Sequence, residues 1–423
     1  VAVTCGALAA LAVVLVAVLW PGESARPEVF DPFDVDLFDA RVVDLTEGTC
    51  PGGPEPGTDV PVEVRCSTVT IEIEEGPDAG TEATFNYVES PGAAHLEEGD
   101  GIVAGYAPEA APEFRYYFAD FQRTTPMLLL TLLFVGSVLL LGRLGGLRAL
   151  IGAGASLTVV VLFLIPALLE GTSPVLAALV AAGLIAVLAL YLTHGVNHRT
   201  NVAFLGTVAS LGLTAALAAV FVAATNLTGL VNEDVTFLQL GDSTIDVTGL
   251  LLAGIVIGAL GVLDDVTVTQ VSAVWELHAA DPDASARRVY EAAIRIGRDH
   301  IASTVNTLVL AYTGAALPLL LLFQQGGQPL GQVLTGEAVA TEVVRALVGS
   351  IGLVASVPIT TGLAVLVVGA RRGPGAEPDD DALPASPPSP GPAAPEAAEA
   401  TVGPEPEPPP PTWEDFTPEE RDF

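Results

Sequence analysis

Two adjacent carboxylates close one of the chain's apolar runs: Leu263-Asp264-Asp265-Val266-Thr267-Val268-Thr269-Gln270. Acids at a membrane boundary are costly unless solvated, paired or bound to a cation. Thr267, Thr269 and Gln270 add neutral oxygens within two helical turns, so the stretch carries the donors of a cation or proton site. The plainer reading is a helix end that meets the cytoplasm, with an aspartate capping the next helix. Further on, Arg295, Arg298, Asp299, His300, Ser303, Thr304 and Asn306 make a polar entry into another apolar run. Arg295 and Arg298 are candidate countercharges to the two aspartates. The candidate ion- or solute-binding residues are therefore Asp264, Asp265, Thr267, Thr269, Gln270, Arg295, Arg298, Asp299, His300 and Asn306. A weaker candidate is a divalent metal held by His194, His198, Asp264, Asp265 and His300, which lack the tight spacing of a zinc site. His194 and His198 share a helix face only if the helix continues through Gly195.

The missing chemistries narrow the function. All 16 basic residues are arginine, so a Walker A phosphate loop and any lysine Schiff base are excluded. There is no Gly-x-Ser-x-Gly elbow and no His-Glu-x-x-His helix. The expectation is a protein that is not an enzyme and uses no cofactor.

The elements that must position these residues are membrane helices. Apolar runs fall near 1–20, 127–142, 149–169, 174–194, 202–225, 247–263, 304–323 and 346–369. Each is about long enough to cross a ~30 Å hydrocarbon core. The fold class is thus mainly α, a polytopic bundle of about eight spans with a small β-rich domain and a disordered tail. Arginines 143, 148, 199, 287, 288, 295, 298, 371 and 372 all fall in loops on one side of this alternation. That side is cytoplasmic by the positive-inside rule. Residues 1–20 read as an anchor, since the stretch is longer than a signal-peptide core and no small-x-small site follows.

Residues 21–123 form an extracytoplasmic acidic domain. Val62, Val64 and Cys66 alternate with polar residues, and Val69, Ile71 and Ile73 continue in shifted phase, which predicts a bulge between them. Gly76-Pro77-Asp78-Ala79-Gly80 is a turn signal, Thr81–Val88 the returning strand, and Gly99-Asp100-Gly101 a further turn. A small barrel or sandwich follows. Cys50 and Cys66 can form a disulfide outside the cell, whereas Cys5 is a packing residue.

Residues 124–372 form a seven-helix membrane domain, with cytoplasmic amphipathic helices within 264–303. These are predicted at about 266–280 and 284–302, separated by Asp281-Pro282-Asp283. The second has an apolar side and an arginine side and is expected on the membrane surface. Gly254, Gly258 and Gly261 read as a close helix-packing face or as flexibility beside a pathway. Pro166, Pro318 and Pro358 are expected kinks.

Residues 373–423 are a cytoplasmic tail too rich in proline, alanine and acids to fold alone, ending near an acidic-aromatic patch at Trp413–Phe416. The net charge of −34 is concentrated in two places: −18 over residues 21–123 and −12 over 373–423. Such acidity keeps exposed segments soluble and argues against nucleic acid. Partners compatible with the layout are the lipid bilayer, a cation or small solute, a second copy of the chain, or an envelope protein.

Three long stretches carry a resemblance. They are Gly254-Ile-Val-Ile-Gly-Ala-Leu-Gly-Val-Leu-Asp-Asp-Val-Thr-Val-Thr-Gln270, Ala273-Val-Trp-Glu-Leu277 and Arg295-Ile-Gly-Arg-Asp-His-Ile-Ala-Ser-Thr-Val-Asn-Thr-Leu308. With His194-Gly195 ahead of Arg199-Thr200, and Val357-Pro-Ile-Thr-Thr361, they resemble the YibE/F family of bacterial membrane proteins. Gly99-Asp100 and Tyr117-Phe-Ala-Asp-Phe-Gln-Arg123 look like its actinobacterial branch, so the likeness runs over about 40–370. The resemblance implies a multi-pass plasma-membrane protein and supplies no reaction. A small-solute or ion permease is the leading expectation; a scaffold or envelope sensor is the alternative.

Overall fold

The structure, a computed structural model, describes residues 1–21, 36–54, 61–88, 93–111, 114–230, 235, 236, 238, 245–327 and 329–370. The tail at 373–423, the Trp413–Phe416 patch, and Arg371 and Arg372 lie outside the described residues.

The acidic domain is one antiparallel sheet of five strands: β1 (Asp36–Pro54), β2 (Pro61–Ile73), β3 (Glu82–Val88), β4 (Gly101–Tyr106) and β5 (Tyr116–Phe121), in the order β3-β2-β1-β4-β5. The sheet curls until its two edges meet, with the Tyr87 and Phe118 rings edge to face at 5.4 Å. Val42, Val69, Ile71, Ile73, Phe85 and Ile102 fill the concave side. Gly76 and Gly80, both at positive φ, turn β2 into β3 at the expected place. The bulge lies elsewhere than expected. It is in β1, where the register shifts between Val42 and Asp44, while β2 pairs with β3 unbroken from Cys66 to Glu72. The apparent phase shift arises because β2 is buried on both faces at one point. Ser67 continues the inner row, and Cys66 is covered on the other face by its disulfide to Cys50.

The rest is helical. α1 (Ala2–Val18) is followed, beyond the sheet, by α2 (Thr124–Val159), one π-helical turn (Val160–Leu164) and α3 (Ile165–Leu169). Then come α4 (Pro174–His194), α5 (His198–Ala224), α6 (Val247–Ala280), α7 (Ala286–Ala315), α8 (Leu317–Gln325), α9 (Leu330–Thr335) and α10 (Glu337–Ala370). Among the described residues, five helical stretches are long and apolar enough to cross a membrane: Thr124–Leu169, α4, α5, α6 and α10. The α7–α8 pair, bent by 56°, would be a sixth, and α1 is a shorter apolar helix. The chain is therefore mainly helical, with the apolar helices of a membrane protein; among the described residues these give five or six uninterrupted spans, against the eight read from the sequence.

Two of the differences have local causes. The runs at 127–142 and 149–169 belong to one stretch broken at Arg143, which adopts φ 49° and ψ −130° amid Gly142, Gly145 and Gly146. A side chain on Gly146 would collide with the carbonyl of Val138, eight residues earlier. Those residues would stand about 12 Å apart along a straight helix, so the chain doubles back here. The amphipathic segments, in turn, are not separate surface helices. Residues 266–280 continue α6 without interruption, and 286–302 form the first half of α7. Val289, Ala293 and Gly297 seat that half in the bundle, against α6 and α10. Pro318 opens α8 directly after the bend, and Pro166 follows the π turn.

α5, α6 and α10 pack mutually and form the centre, with α4 and α7 beside them. The helix ends sort into two groups. Arg199 at the start of α5 pairs with Glu276 late in α6 at 3.3 Å. At the opposite end the Glu337 carboxylate opening α10 accepts bonds from Thr228 N–H, the Thr228 hydroxyl and Gly229 N–H. Thr248, early in α6, donates to the Thr228 carbonyl at 2.9 Å.

Candidate functional site

Helices that face lipid are apolar outside and tolerate polar groups within. This bundle follows that rule. Leu128–Leu133 of α2 and Leu366 of α10 are exposed, whereas Thr207, Ser210, Thr214, Thr267, Gln270, Ser356, Thr360 and Thr361 are buried. The buried set forms a polar seam through the contact of α5, α6 and α10.

The seam has a definite register. Thr267 Oγ1 donates to the Asp264 carbonyl at 3.0 Å, which leaves the Thr207 hydroxyl to donate to Thr267 Oγ1 at 2.7 Å. Thr361 Oγ1 donates to Gln270 Oε1 at 3.0 Å. Arg199–Glu276, Thr207–Thr267 and Thr228–Thr248 together fix α5 and α6 as antiparallel, so Ser210 stands at the level of Asp264. Among the polar atoms of the described residues that are buried without a hydrogen-bond partner are Asp264 Oδ1, Ser210 Oγ, Thr360 Oγ1 and Gln270 Nε2 on these three helices. An unmet polar group in a low-dielectric interior costs about 1–3 kcal/mol, so their clustering calls for a functional account.

Glycines let these helices approach. A side chain on Gly297 of α7 would collide with the Gln270 amide, one on Gly206 with Thr360, and one on Gly352 with Thr214. The glycines read from the sequence as a packing face behave otherwise. Gly254 and Gly261 would meet nothing within 4 Å, and Gly258 meets only the Tyr312 hydroxyl. Within the described chain, Tyr312 of α7 is the one neighbour these three glycines meet.

Of the candidates, Asp264, Thr267 and Gln270 join the seam. Asp265 and Asp299 are exposed, Asn306 is exposed on α7, and Thr269 bonds the Asp265 carbonyl at 2.7 Å. His300 Nε2 stands 3.7 Å from Asp265 Oδ2. Arg295 and Arg298 are exposed and form no ion pair within 4.0 Å with either aspartate among the described residues, so the expected neutralisation of Asp264 and Asp265 by these arginines is replaced by the His300–Asp265 contact. The metal set also comes apart. Gly195, at φ +76°, ends α4 between His194 and His198, and both histidines are exposed. Among the described residues no three His, Cys, Asp or Glu side chains stand together as a metal cage.

Two cavities open between α5 and α6 at opposite ends of their interface. One, of about 170 Å³, is lined by His194, Asn197, Arg199, Thr200, Val271 and Ser272 among others. The other, of about 410 Å³, is lined by Val222, Asn226, Leu227, Thr228, Thr248 and Leu252 among others. The stretch of interface between them carries Thr207, Ser210 and Thr214 on α5 and Thr267 and Asp264 on α6. The α5 hydroxyls were missed in the sequence reading. The signal available was their spacing, which puts 207, 210 and 214 on one helix face.

No curated protein and no solved structure matches this chain. Residues 130–370 match the family model described as YibE/F-like protein. That match starts within α2, so it covers the helices and leaves out the sheet, which the sequence likeness from about residue 40 had included. Spanning more than half of the sequence, it shows that the chain belongs to the YibE/F-like family.

Proposed function

We propose that the chain is a permease of a bacterial plasma membrane that passes a small solute or ion along the α5–α6 interface, and that it is not an enzyme. One observation carries the reading. A cavity lies at each end of this interface, and between them runs a seam of buried hydroxyls level with an unpaired carboxylate oxygen of Asp264. Intramembrane acids without a partner mark ion or proton pathways in membrane proteins. In this reading α1, both limbs of the stretch broken at Arg143, α4, α5, α6, the α7–α8 pair and α10 make eight crossings. The arginine-rich ends then face the cytoplasm and the sheet lies outside.

The test is flux. Purified protein in proteoliposomes is screened with alkali cations, protons, amino acids and divalent metals, and any activity is repeated with Asp264→Asn. The expected result is at least a tenfold loss of flux with normal insertion and unchanged size-exclusion behaviour. Undiminished flux in the variant would remove Asp264 from the pathway.

A second reading, an envelope sensor or scaffold, draws on the sheet. That domain has its own apolar core and disulfide and lies outside the family match. Deleting residues 36–121 separates the two. Retained flux favours the permease, and lost partner capture with no flux in either protein favours the sensor.

A further inference from the structure

α7 breaks the rule that its neighbours keep. Its inner side is apolar. Ile294, Ile301, Val305 and Leu308 lie on one helical stripe and pack against α6 and α10. The opposite stripe, at the same spacing of three and four, reads Asp299, Ser303, Asn306, Leu310, Thr313 and Gly314, and all six are exposed. A span surrounded by lipid turns the other way round, because hydrocarbon offers no partner to an amide or a hydroxyl.

Contacts on the inner side fix the level of this stripe. His300 stands against Asp265, and a Cβ built on Gly258 would come within 3.7 Å of the Tyr312 hydroxyl. α6 and α7 therefore run antiparallel, and Asn306, midway between His300 and Tyr312, stands at the level of Gly261. That is about one turn inside the apolar run that ends at Leu263, and Thr313 lies about two turns deeper. Thr307 satisfies its own hydroxyl by donating to the Ser303 carbonyl at 3.1 Å. Asn306 and Thr313 form no side-chain hydrogen bond among the described residues. The amide of Asn306 carries two N–H donors and an acceptor oxygen, so of the whole stripe it gains most from a second helix. At the cytoplasmic end Arg295 and Asp299, four residues apart on the same side, are exposed and form no salt bridge among the described residues.

What covers such a face is constrained by its setting. Acyl chains neither donate nor accept, and a water-soluble protein does not reach this depth. The occupant is a membrane helix that offers donors, acceptors and charges at matching levels. A second α7 meets that requirement by its own sequence. When a two-fold axis along the membrane normal relates two copies, their α7 helices run in the same direction, and each level of the stripe meets itself. The two Asn306 amides then exchange hydrogen bonds across the axis. Ser303 and Gly314 let the backbones approach, and Arg295 of each copy faces Asp299 of the other.

We propose that the outward stripe of α7 is a homodimer interface, in which two copies of the chain pack α7 on α7 with Asn306 paired across the axis. The inference stands on this exposed face and is independent of the permease reading.

Disulfide cross-linking in native membranes tests it. Ser303→Cys, Asn306→Cys and Thr313→Cys are made singly in the full chain carrying Cys5→Ala, with Cys50 and Cys66 left bonded, and the membranes are oxidised with copper phenanthroline. Leu129→Cys on α2 and Leu366→Cys on α10, at exposed positions of other helices, are the controls. The expected result is a reducible dimer band for the three stripe positions and none for the two controls. Photobleaching of singly labelled protein in liposomes should count two copies, and Asn306→Leu should raise the protein-to-lipid ratio at half-dimerisation about tenfold. Leucine at this exposed position touches nothing in the bundle, so the variant is read as monodisperse monomer and not as lost protein. Arg295→Glu should weaken the dimer, and Arg295→Glu combined with Asp299→Arg should restore it. Protein that stays monomeric at every ratio, cross-links that form equally at Leu129 and Leu366, or a stripe that cross-links to a different membrane protein would each overturn the interface. So would a dimer that Asn306→Leu leaves unchanged.

Discussion

The sheet and the helix bundle solve the burial problem in opposite ways. In the sheet the interior is Val, Ile, Ala and aromatic rings, and Ser67 is its one buried polar residue among those described. Its polar contacts lie toward the rim, as in Gln122 to Asp39 at 2.7 Å and Arg41 to Glu74. The bundle hides hydroxyls and an amide at its centre and turns leucines outward. Water is the solvent of the first and lipid of the second, and lipid gives apolar side chains no reason to turn inward. The comparison also separates structure from function. Of the buried polar atoms left unpartnered among the described residues, only Arg115 Nε belongs to the sheet, and the rest lie in the helices. A region that leaves so many polar groups unmet, at about 1–3 kcal/mol each, has a use for them.

Breaking each region calls for a different lesion. The largest effect is expected from Gly352→Leu, which drives a side chain into Thr214 and forces α5 and α10 apart. Overpacking at such a contact costs about 3 kcal/mol, and fluorescence size-exclusion should show loss of monodisperse protein. Gly254→Leu is the control, because nothing stands within 4 Å of that site, and it should behave as the parent. The sheet should be most sensitive to its cross-link. Changing Cys50 and Cys66 together to serine opens a loop with a sequence separation of 16. The loss should be about 3 kcal/mol, read as easier proteolysis of the sheet with the bundle intact.

A smaller effect sharpens the contrast. The Tyr116 hydroxyl donates to Asp78 Oδ2 at 2.7 Å, and burial, reinforced by that bond and the Asp78 charge, holds the phenol's pKa above its ordinary value. The neutral phenol is thus favoured by folding. Its contribution is complete below the unfolded pKa of about 10 and is lost as pH rises through the folded value. Tyr116→Phe should cost about 1 kcal/mol at neutral pH. It should also flatten the alkaline decline in sheet stability, measured by near-ultraviolet circular dichroism.

The same contrast explains what could be read in advance. The β2–β3 hairpin was legible because Gly76 and Gly80 impose a local turn and because alternation along 69, 71 and 73 marks one face. The cysteine pair was legible from its setting. Asp264 and Gln270 stood out because acids and amides are rare in apolar runs. Ser210 and Thr360 did not, since hydroxyls scarcely alter the hydropathy of a window. Their meaning depends on which helix stands opposite, and that is set by contacts far apart in sequence. A turn between the runs 127–142 and 149–169 was legible from the arginines there, but not its form, a backbone break at Arg143 inside otherwise continuous helix that three nearby glycines permit. The α7 segment was read as a surface helix because its arginine face suggested water on one side. Val289, Ala293 and Gly297, the face that meets α6 and α10, were the better guide.

In the permease reading the buried seam is a hydrophilic route and not merely a packing device. Cysteine accessibility tests it without knowledge of the substrate. In a Cys5→Ala background, with Cys50 and Cys66 left bonded, single cysteines at Thr207, Ser210, Asp264 and Thr360 are exposed to a small, charged, membrane-impermeant thiol reagent. Leu213 and Leu366, which face outward on the same helices, serve as controls. Labelling is expected at the seam positions and none at the two leucines. Protection of all four seam positions in folded protein, alongside labelling of a loop cysteine, would contradict it.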